Sequence, residues 1–485
     1  MKNLEMRAAV IGAGFAGIGM SVRLAQAGIE HLVFERAAAL GGTWRDNHYP
    51  GCACDVPTPL YSFSFALNPE WSRLYAPQAE ILAYLERVAE QHCVRERIRF
   101  AHEVCSAAWD ESAAHWVLET TGGRFTAEVL VAATGPLAEP AEPEIPGLPR
   151  FLGLRFHSAA WSSDRPLDGL RVGIVGTGAS AVQIIPRIQP RVARLTVFQR
   201  TPAWVLPHLD RPIAPQRRRL YRRFPILQRL ARARIYWLLE LLVLGFTKDV
   251  RLMGLLRRLG ERHLERQVAD PELRERLRPV FAPGCKRLLP SNHYYPALTR
   301  PNVELVTEPI REVGEHSLVT ADGAEHQLDA LILATGFRVT DNPVFERIRG
   351  RSGASLAEAW AGSGMSAYKG SAVAGFPNLF VLAGPNTGIG HTSLVFMIEA
   401  QYRYVLAALR TLRRRRLRSL DVRPEVQARY DAALQRRVRK SVWLVGWCSS
   451  WYQDSAGRVP TMWPDFTWKF WLATRRFDAG AYRMV

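Results

Sequence analysis

Long hydrophobic runs are missing from this 485-residue chain. The longest apolar stretch, Ile235 to Phe246, is twelve residues, contains Glu240, and falls short of the roughly 20 residues that a bilayer-spanning helix needs. No secretory signal is recognised either, because the first apolar run, Ala8 to Ile11, leads directly into a glycine turn; a cytoplasmic location is expected. Cysteine is scarce and scattered. The six residues at 52, 54, 93, 105, 285 and 448 include one Cys-x-Cys pair but no Cys-x-x-Cys or metal-like spacing. Free thiols are therefore expected, with neither a dithiol redox centre nor a metal site. Acidic residues are too few to balance the basic ones, and the net charge is +19. The excess sits in two blocks: Arg211 to Val280 holds 18 basic and 7 acidic residues, and Arg403 to Lys440 holds 13 and 3. No helix-turn-helix, zinc or aromatic RNA-binding pattern accompanies them, so solvated helix faces are expected and a nucleic-acid partner is not.

What is present is a globular composition, 48% hydrophobic and 22% charged, in a chain long enough for two or three domains. Residues 7 to 35 predict a β-α-β unit. A strand ends at Ile11, Gly12-Ala-Gly14-Phe-Ala-Gly17 turns into a helix, Gly28 stops it, and a second strand ends at Glu35. A carboxylate there accepts hydrogen bonds from ribose hydroxyls and repels a 2′-phosphate, which suits FAD or NAD. The amides at the helix start would hold the pyrophosphate. A second unit runs from Arg171 to Phe198 through Gly176-Thr-Gly178-Ala-Ser180-Ala181. Arg200 stands where the first unit has Glu35, and a guanidinium binds a 2′-phosphate that a carboxylate would repel, so the second cofactor should be NADPH. Thr201 could add a hydroxyl contact.

Other elements follow from periodicity. Gln78 to Gln91 predicts an amphipathic helix. His115 to Thr120 and Arg124 to Thr126 predict a small antiparallel sheet, Val129 to Gly135 a buried strand, and Leu331 to Gly336 its counterpart, ending in Ala334-Thr335-Gly336. Gly388 to Gln401 predicts a helix facing a cofactor. Residues 211 to 284 predict a basic helical insert with one apolar stripe, Leu227, Leu230, Ile235, Leu238, Leu239, Leu242 and Val243. That stripe could wall an apolar substrate pocket, contact a membrane surface, or pack a helical subdomain.

Three motifs carry a family resemblance. Phe151, Gly153, His157 and Trp161, at spacing F-x-G-x-x-x-H-x-x-x-W, resemble the signature of type I flavin-dependent Baeyer–Villiger monooxygenases. Ser162 departs from the Pro or Asp usual after it. The run from Gly41 through Gly42, Thr43, Trp44, Tyr49, Pro50 and Gly51 to Asp55 resembles a second, longer signature and matches it at every fixed position. Lys286-Arg287 followed by Tyr294-Tyr295 resembles the family's catalytic arginine segment.

The resemblance implies an α/β flavoprotein monooxygenase with two Rossmann-like dinucleotide-binding domains, for FAD and NADPH, and a helical insert. The expected divisions are an FAD domain at 1–145, an NADPH domain at 146–210, the insert at 211–284, the rest of the NADPH domain at 285–342, and the rest of the FAD domain with an aromatic tail at 343–485. It also implies oxygen insertion beside the carbonyl of a hydrophobic ketone through a flavin peroxide, giving an ester or lactone. Arg287 would keep the peroxide anionic and stabilise the developing oxyanion, and Asp55 would orient it. Expected cofactor contacts are Gly12, Gly14, Gly17, Glu35, Gly42, Thr43, Trp44, Tyr61, Gly176, Gly178, Ser180, Arg200, Thr201, Lys286, Ala334, Thr335, Gly336 and Asn386. Phe151, Gly153, His157 and Trp161 are expected to form a hinge, against a plain surface linker. Alternatives are a flavin N- or S-oxygenase and a non-catalytic FAD/NADPH-binding redox sensor. The late tryptophans, from Trp443 to Trp471, would close the substrate site or pack the core.

Overall fold

Two glycine turns, each following an apolar strand, call for two parallel sheets. The computed structural model, which describes residues 4–162 and 164–485, contains both. In the first, Leu4–Ile11 is flanked by parallel His31–Phe34 and Gly123–Ala132, with Ala8 opposite His31 and Val129. Helices or loops cover both faces of such strands, which is why Ala8, Ala9 and Val10 carry no exposed surface. Leu379–Val381 adds alongside Gly123–Ala132, and Val104–Asp110 and His115–Thr120 continue the sheet in antiparallel fashion. His115–Thr120 and the segment at Arg124 to Thr126 pair antiparallel as expected, and the latter runs on without a break into the buried strand ending at Ala132, so the pairing is an extension of the large sheet.

The second sheet is parallel throughout, in the order Val303–Val306, Arg194–Phe198, Arg171–Val175, Ala330–Leu333, Leu154–His157. Its last strand occupies much of the expected hinge. Phe151 and Trp161 are buried, and a Cβ on Gly153 would lie 2.5 Å from the Asp329 carbonyl oxygen. His157 is buried edge-on to Phe337 and its Nδ1 accepts the Ala159 N–H. A surface linker is excluded here, because this chain is packed as a sheet edge.

Helix Phe15–Gln26 lies on the first sheet and packs against Leu394–Arg415. Tyr402 fixes the contact, its hydroxyl donating to the carbonyls of Phe15 and Ala16 at 3.0 Å each. The second of these helices begins at Leu394, capped by Ser393, and not at Gly388, since residues 388–393 form an irregular loop. The insert folds as Pro215–Arg223, Pro225–Glu240, Gly254–Gln267 and Pro271–Arg276. Its expected single stripe is divided, because Leu230 and Leu238 point to solvent while Leu239 and Val243 face inward.

Candidate functional site

The first turn is built for close approach. A Cβ on Gly17 would sit 1.8 Å from the Gly12 carbonyl oxygen, and one on Gly12, at φ +99°, 2.7 Å from that of Ala133. Gly14 and Gly42 face each other with their α-carbons bare. Gly14 caps helix Phe15–Gln26 without a side chain, so the first-turn N–H groups stay open to an anion. The second turn repeats the plan: a Cβ on Gly176, at φ +111°, would lie 2.5 Å from the Ala334 carbonyl oxygen, and Gly178 is open and side-chain-free above helix Ala179–Ile188. Both turns therefore fit a pyrophosphate.

The residues after the second strands separate the cofactors. Glu35 is buried. Its Oε2 accepts the Ala13 N–H at 2.8 Å, and its Oε1 takes the Ala37 N–H and Arg45 Nη1. Glu35 thus braces the turn, and Oε2 retains capacity for a hydroxyl donor. Arg200 is exposed, and Lys286 comes near enough that burial and repulsion from Arg200 hold its ammonium below the usual lysine range. Two cations crowded together fit a 2′-phosphate. Thr201 accepts at its carbonyl from Thr177 Oγ1, while Thr335 Oγ1 donates to the Ala141 carbonyl and ties the strand end to the chain that enters the second sheet.

The segment from Gly41 to Asp55 lies between the two sheets. Trp44 stacks edge-on to Tyr61 and donates to its hydroxyl at 3.0 Å, forming an aromatic wall beside the Gly42 turn and Thr43. Gln183, which no motif singles out, bridges the lobes: it accepts from the Tyr49 hydroxyl and donates to the Ala53 carbonyl at 3.0 Å, and Ser180 also bonds to Tyr49. Asn386 is placed differently from the expectation. It is buried, and its amide donates to the carbonyls of Val459 and Met462, so it anchors the tail.

At the end of this segment Asp55 meets Arg287. Oδ2 and Oδ1 accept from Nε at 2.5 Å and Nη2 at 2.6 Å, a two-pronged ion pair between residues 232 apart in sequence. The pair keeps 20% and 34% of its side-chain surface accessible. Burial works against the Asp55 charge, but the guanidinium prevails and holds the carboxyl below its ordinary range. The carboxylate in turn raises Arg287 further above an already high value. Both line a cavity of about 90 Å³ with Val56, Pro57, Tyr75, Leu239, Leu288, Gly390, His391 and Thr392. Thr392 Oγ1 is buried there without a protein partner. A larger depression of about 770 Å³ lies at the outer edge of the second sheet, away from the pair, and is lined by Arg276, Arg300 and Glu304.

Several of these neighbours carry no sequence signal. His391 Nε2 meets the buried Glu240 of the insert at 3.1 Å, and Glu240 also accepts from the Thr467 hydroxyl. Tyr452, from the tail, is buried close to Arg287, and burial pushes its hydroxyl up to about 12. The tail is also fastened covalently: Cys285, two residues before Arg287, forms a disulfide with Cys448 across a Cα–Cα distance of 6.1 Å. This overturns the free-thiol expectation for those two cysteines, because spacing along the chain does not show what folding brings together. Cys52, Cys54, Cys93 and Cys105 are free.

Residues 9–219 match the family described as pyridine nucleotide-disulphide oxidoreductase. A Baeyer–Villiger monooxygenase of Pseudomonas aeruginosa is 49% identical over 482 residues, covering 99% of this chain and 91% of that relative. Cyclohexanone monooxygenase from Rhodococcus sp. Phi1 bound to NADP+ superposes with a TM-score of 0.88 at 29% identity, over 100% of this chain and 99% of the other. The structure of OTEMO in complex with FAD and NADP superposes with a TM-score of 0.89 at 27% identity over the whole of both chains.

Proposed function

The chain belongs to the Baeyer–Villiger monooxygenase family, and from that premise we propose that Arg287 is its catalytic cation and Asp55 the positioning residue that aims it. The protein is an FAD- and NADPH-dependent monooxygenase that inserts one oxygen atom of dioxygen beside a ketone carbonyl, giving an ester or lactone. FAD, when bound, supplies the activation of dioxygen, with NADPH as the hydride source. Gly12, Gly14, Gly17, Gly42 and the Trp44–Tyr61 wall would hold the first cofactor, and Gly176, Gly178, Arg200 and Lys286 the second.

The chain's own contribution is electrostatic. Arg287 is ionised at every accessible pH and is fixed by two bonds, so it needs no reorganisation when negative charge develops on oxygen beside it. Asp55 limits that charge and sets its direction. The observation that carries this reading is the paired carboxylate and guanidinium lining one cavity together with the apolar Val56, Pro57, Leu239 and Leu288 and the polar Tyr75, His391 and Thr392. The four apolar members of that lining support a ketone with a hydrophobic body. Among the described residues no helix is long and apolar enough to cross a membrane; a cytoplasmic location remains part of the proposal. The test offers a panel of apolar cyclic and open-chain ketones to the purified holoenzyme under isotope-labelled dioxygen. Mass spectrometry should find an ester or lactone carrying one labelled oxygen. Oxidation of sulfides or amines alone, with every ketone untouched, would sink it.

A further inference from the structure

Helix Pro225–Glu240 is built inside out. Four polar side chains tie it to the protein beside the half-buried Ile235 and Leu239: Gln228 donates to the Asn68 carbonyl at 2.6 Å, Arg232 to that of Ser62 at 2.9 Å, Tyr236 pairs with the Thr467 hydroxyl at 2.9 Å, and Glu240 is buried. Outward, between exposed arginines, it presents large apolar side chains. Ile226, Leu230, Trp237 and Leu241 are 57%, 59%, 57% and 60% exposed, and their spacing of four, seven and four residues puts them on one face. A helix shaped by water alone carries the opposite distribution.

The charge around this stripe has one sign. From Pro215 to Glu240 there are eight arginines and a single acid, the buried Glu240. Arg217, Arg219, Arg229 and Arg234 make no ion pair among the described residues. An apolar stripe bordered by unpaired arginines complements an acyl layer under anionic headgroups. A second copy of the chain would bring the same arginines face to face, which disfavours self-association. Just beyond the helix Leu244 is 38% exposed, and Trp447 is 90% exposed in a turn that the Ala282 N–H, donating to the Gly446 carbonyl, holds against the insert.

We propose that this face docks the protein onto the surface of an anionic lipid bilayer, with the helix lying flat and its stripe in the acyl boundary. At 1.5 Å per residue the helix offers roughly 24 Å of contact. Leu239, on the inner side of the same helix, walls the cavity that holds Arg287. Resting on the functional reading above, this gives an apolar ketone dissolved in the bilayer a short route to the site.

The test uses the full-length FAD-loaded protein and sedimentation with vesicles, one set of phosphatidylcholine and one of phosphatidylcholine with phosphatidylglycerol. No ketone is present, so the outcome is independent of the oxygenation chemistry. Binding should require phosphatidylglycerol and weaken as salt is raised. The triple variant Leu230→Ser, Trp237→Ser, Leu241→Ser should lose about tenfold or more in partitioning, as expected for the apolar area removed, while its turnover of a water-soluble ketone is unchanged. Should that variant not fold, the quadruple replacement of Arg217, Arg219, Arg229 and Arg234 by Gln provides the same comparison and should flatten the salt dependence. The idea is overturned if wild-type protein ignores the anionic vesicles, if either folded variant binds them as well as wild type, or if light scattering shows a dimer that the serine variant dissociates and no lipid binding.

Discussion

Removing Asp55 and Arg287 singly and together asks whether they act as one device. The two ions are joined by two charge-assisted bonds at 2.5 and 2.6 Å. Near a protein surface two such charges interact by about 4 kcal/mol, and partial exposure of both residues reduces this through solvent screening. Loss of one preorganised group at the point where charge develops lowers turnover by about 10²–10³. Arg287→Ala should therefore reduce ketone oxygenation by about that factor, while NADPH oxidation continues with hydrogen peroxide as the product. Asp55→Asn should lower oxygenation less, by about tenfold, since it removes aim but not charge. The double variant should resemble Arg287→Ala alone, because a positioning residue has nothing left to position. Stability follows the same logic. In wild type the depressed Asp55 carboxyl contributes stability above the ordinary carboxylate range and loses it as the pH falls through its lower folded value. Without Arg287, burial dominates and raises that carboxyl, so Arg287→Ala should be more destabilised at neutral than at acid pH, and adding Asp55→Asn should restore part of the loss. Thermal melts across pH and initial-rate kinetics measure both. If the two single losses in oxygenation multiply in the double variant, the residues act independently and the coupling fails.

Four further outcomes are expected. Arg200→Ala should raise the KM for NADPH by about ten- to hundredfold, the equivalent of one or two charged hydrogen bonds, with little change for NADH. Because burial and Arg200 hold the Lys286 ammonium below its usual range, NADPH affinity should fall at a lower alkaline pH than an ordinary lysine near 10.4 would give, and Arg200→Ala should move that fall upward. Thiol titration of unfolded, unreduced protein should count four groups, rising to six after reduction. Cys448→Ser should lower stability by about 2–4 kcal/mol and make the melting temperature insensitive to reductant; a wild-type melt that reductant leaves unmoved would refute the link.

Much of this molecule is legible along the chain because dinucleotide turns are local. Gly12 and Gly176 each close against a carbonyl at a strand end, and the flanking strands and helices have their own periods, so helix Gln78–Gln91 and the unit from Arg171 to Phe198 match their expected limits. The contrast of Glu35 with Arg200 is also visible, although Glu35 follows Phe34 directly and Arg200 follows Phe198 only after Gln199. The remainder depends on distance in sequence. Gln183, His391 and Tyr452 reach the site from separate elements, and Cys285 finds Cys448 across 163 residues. Asn386 illustrates the reverse case: its place after a strand suggests a ligand contact, but only the folded tail shows that Val459 and Met462 claim its amide. The insert defeats pattern reading for a different reason. Its hydrophobic residues are helically spaced as in a core helix, and periodicity does not say which face is turned inward.

The meeting of Asp55 with Arg287 has one more consequence. The acid follows the first glycine turn, and the base enters from beyond the insert, on chain that feeds the second sheet, which shares no strand with the first. The charge pair therefore works as a coincidence detector for lobe alignment. If the two sheets swing apart by a few ångströms, the cation loses its partner and its bearing together, and under the role proposed for Arg287 a misassembled protein that still binds both nucleotides should be chemically mute toward carbonyls.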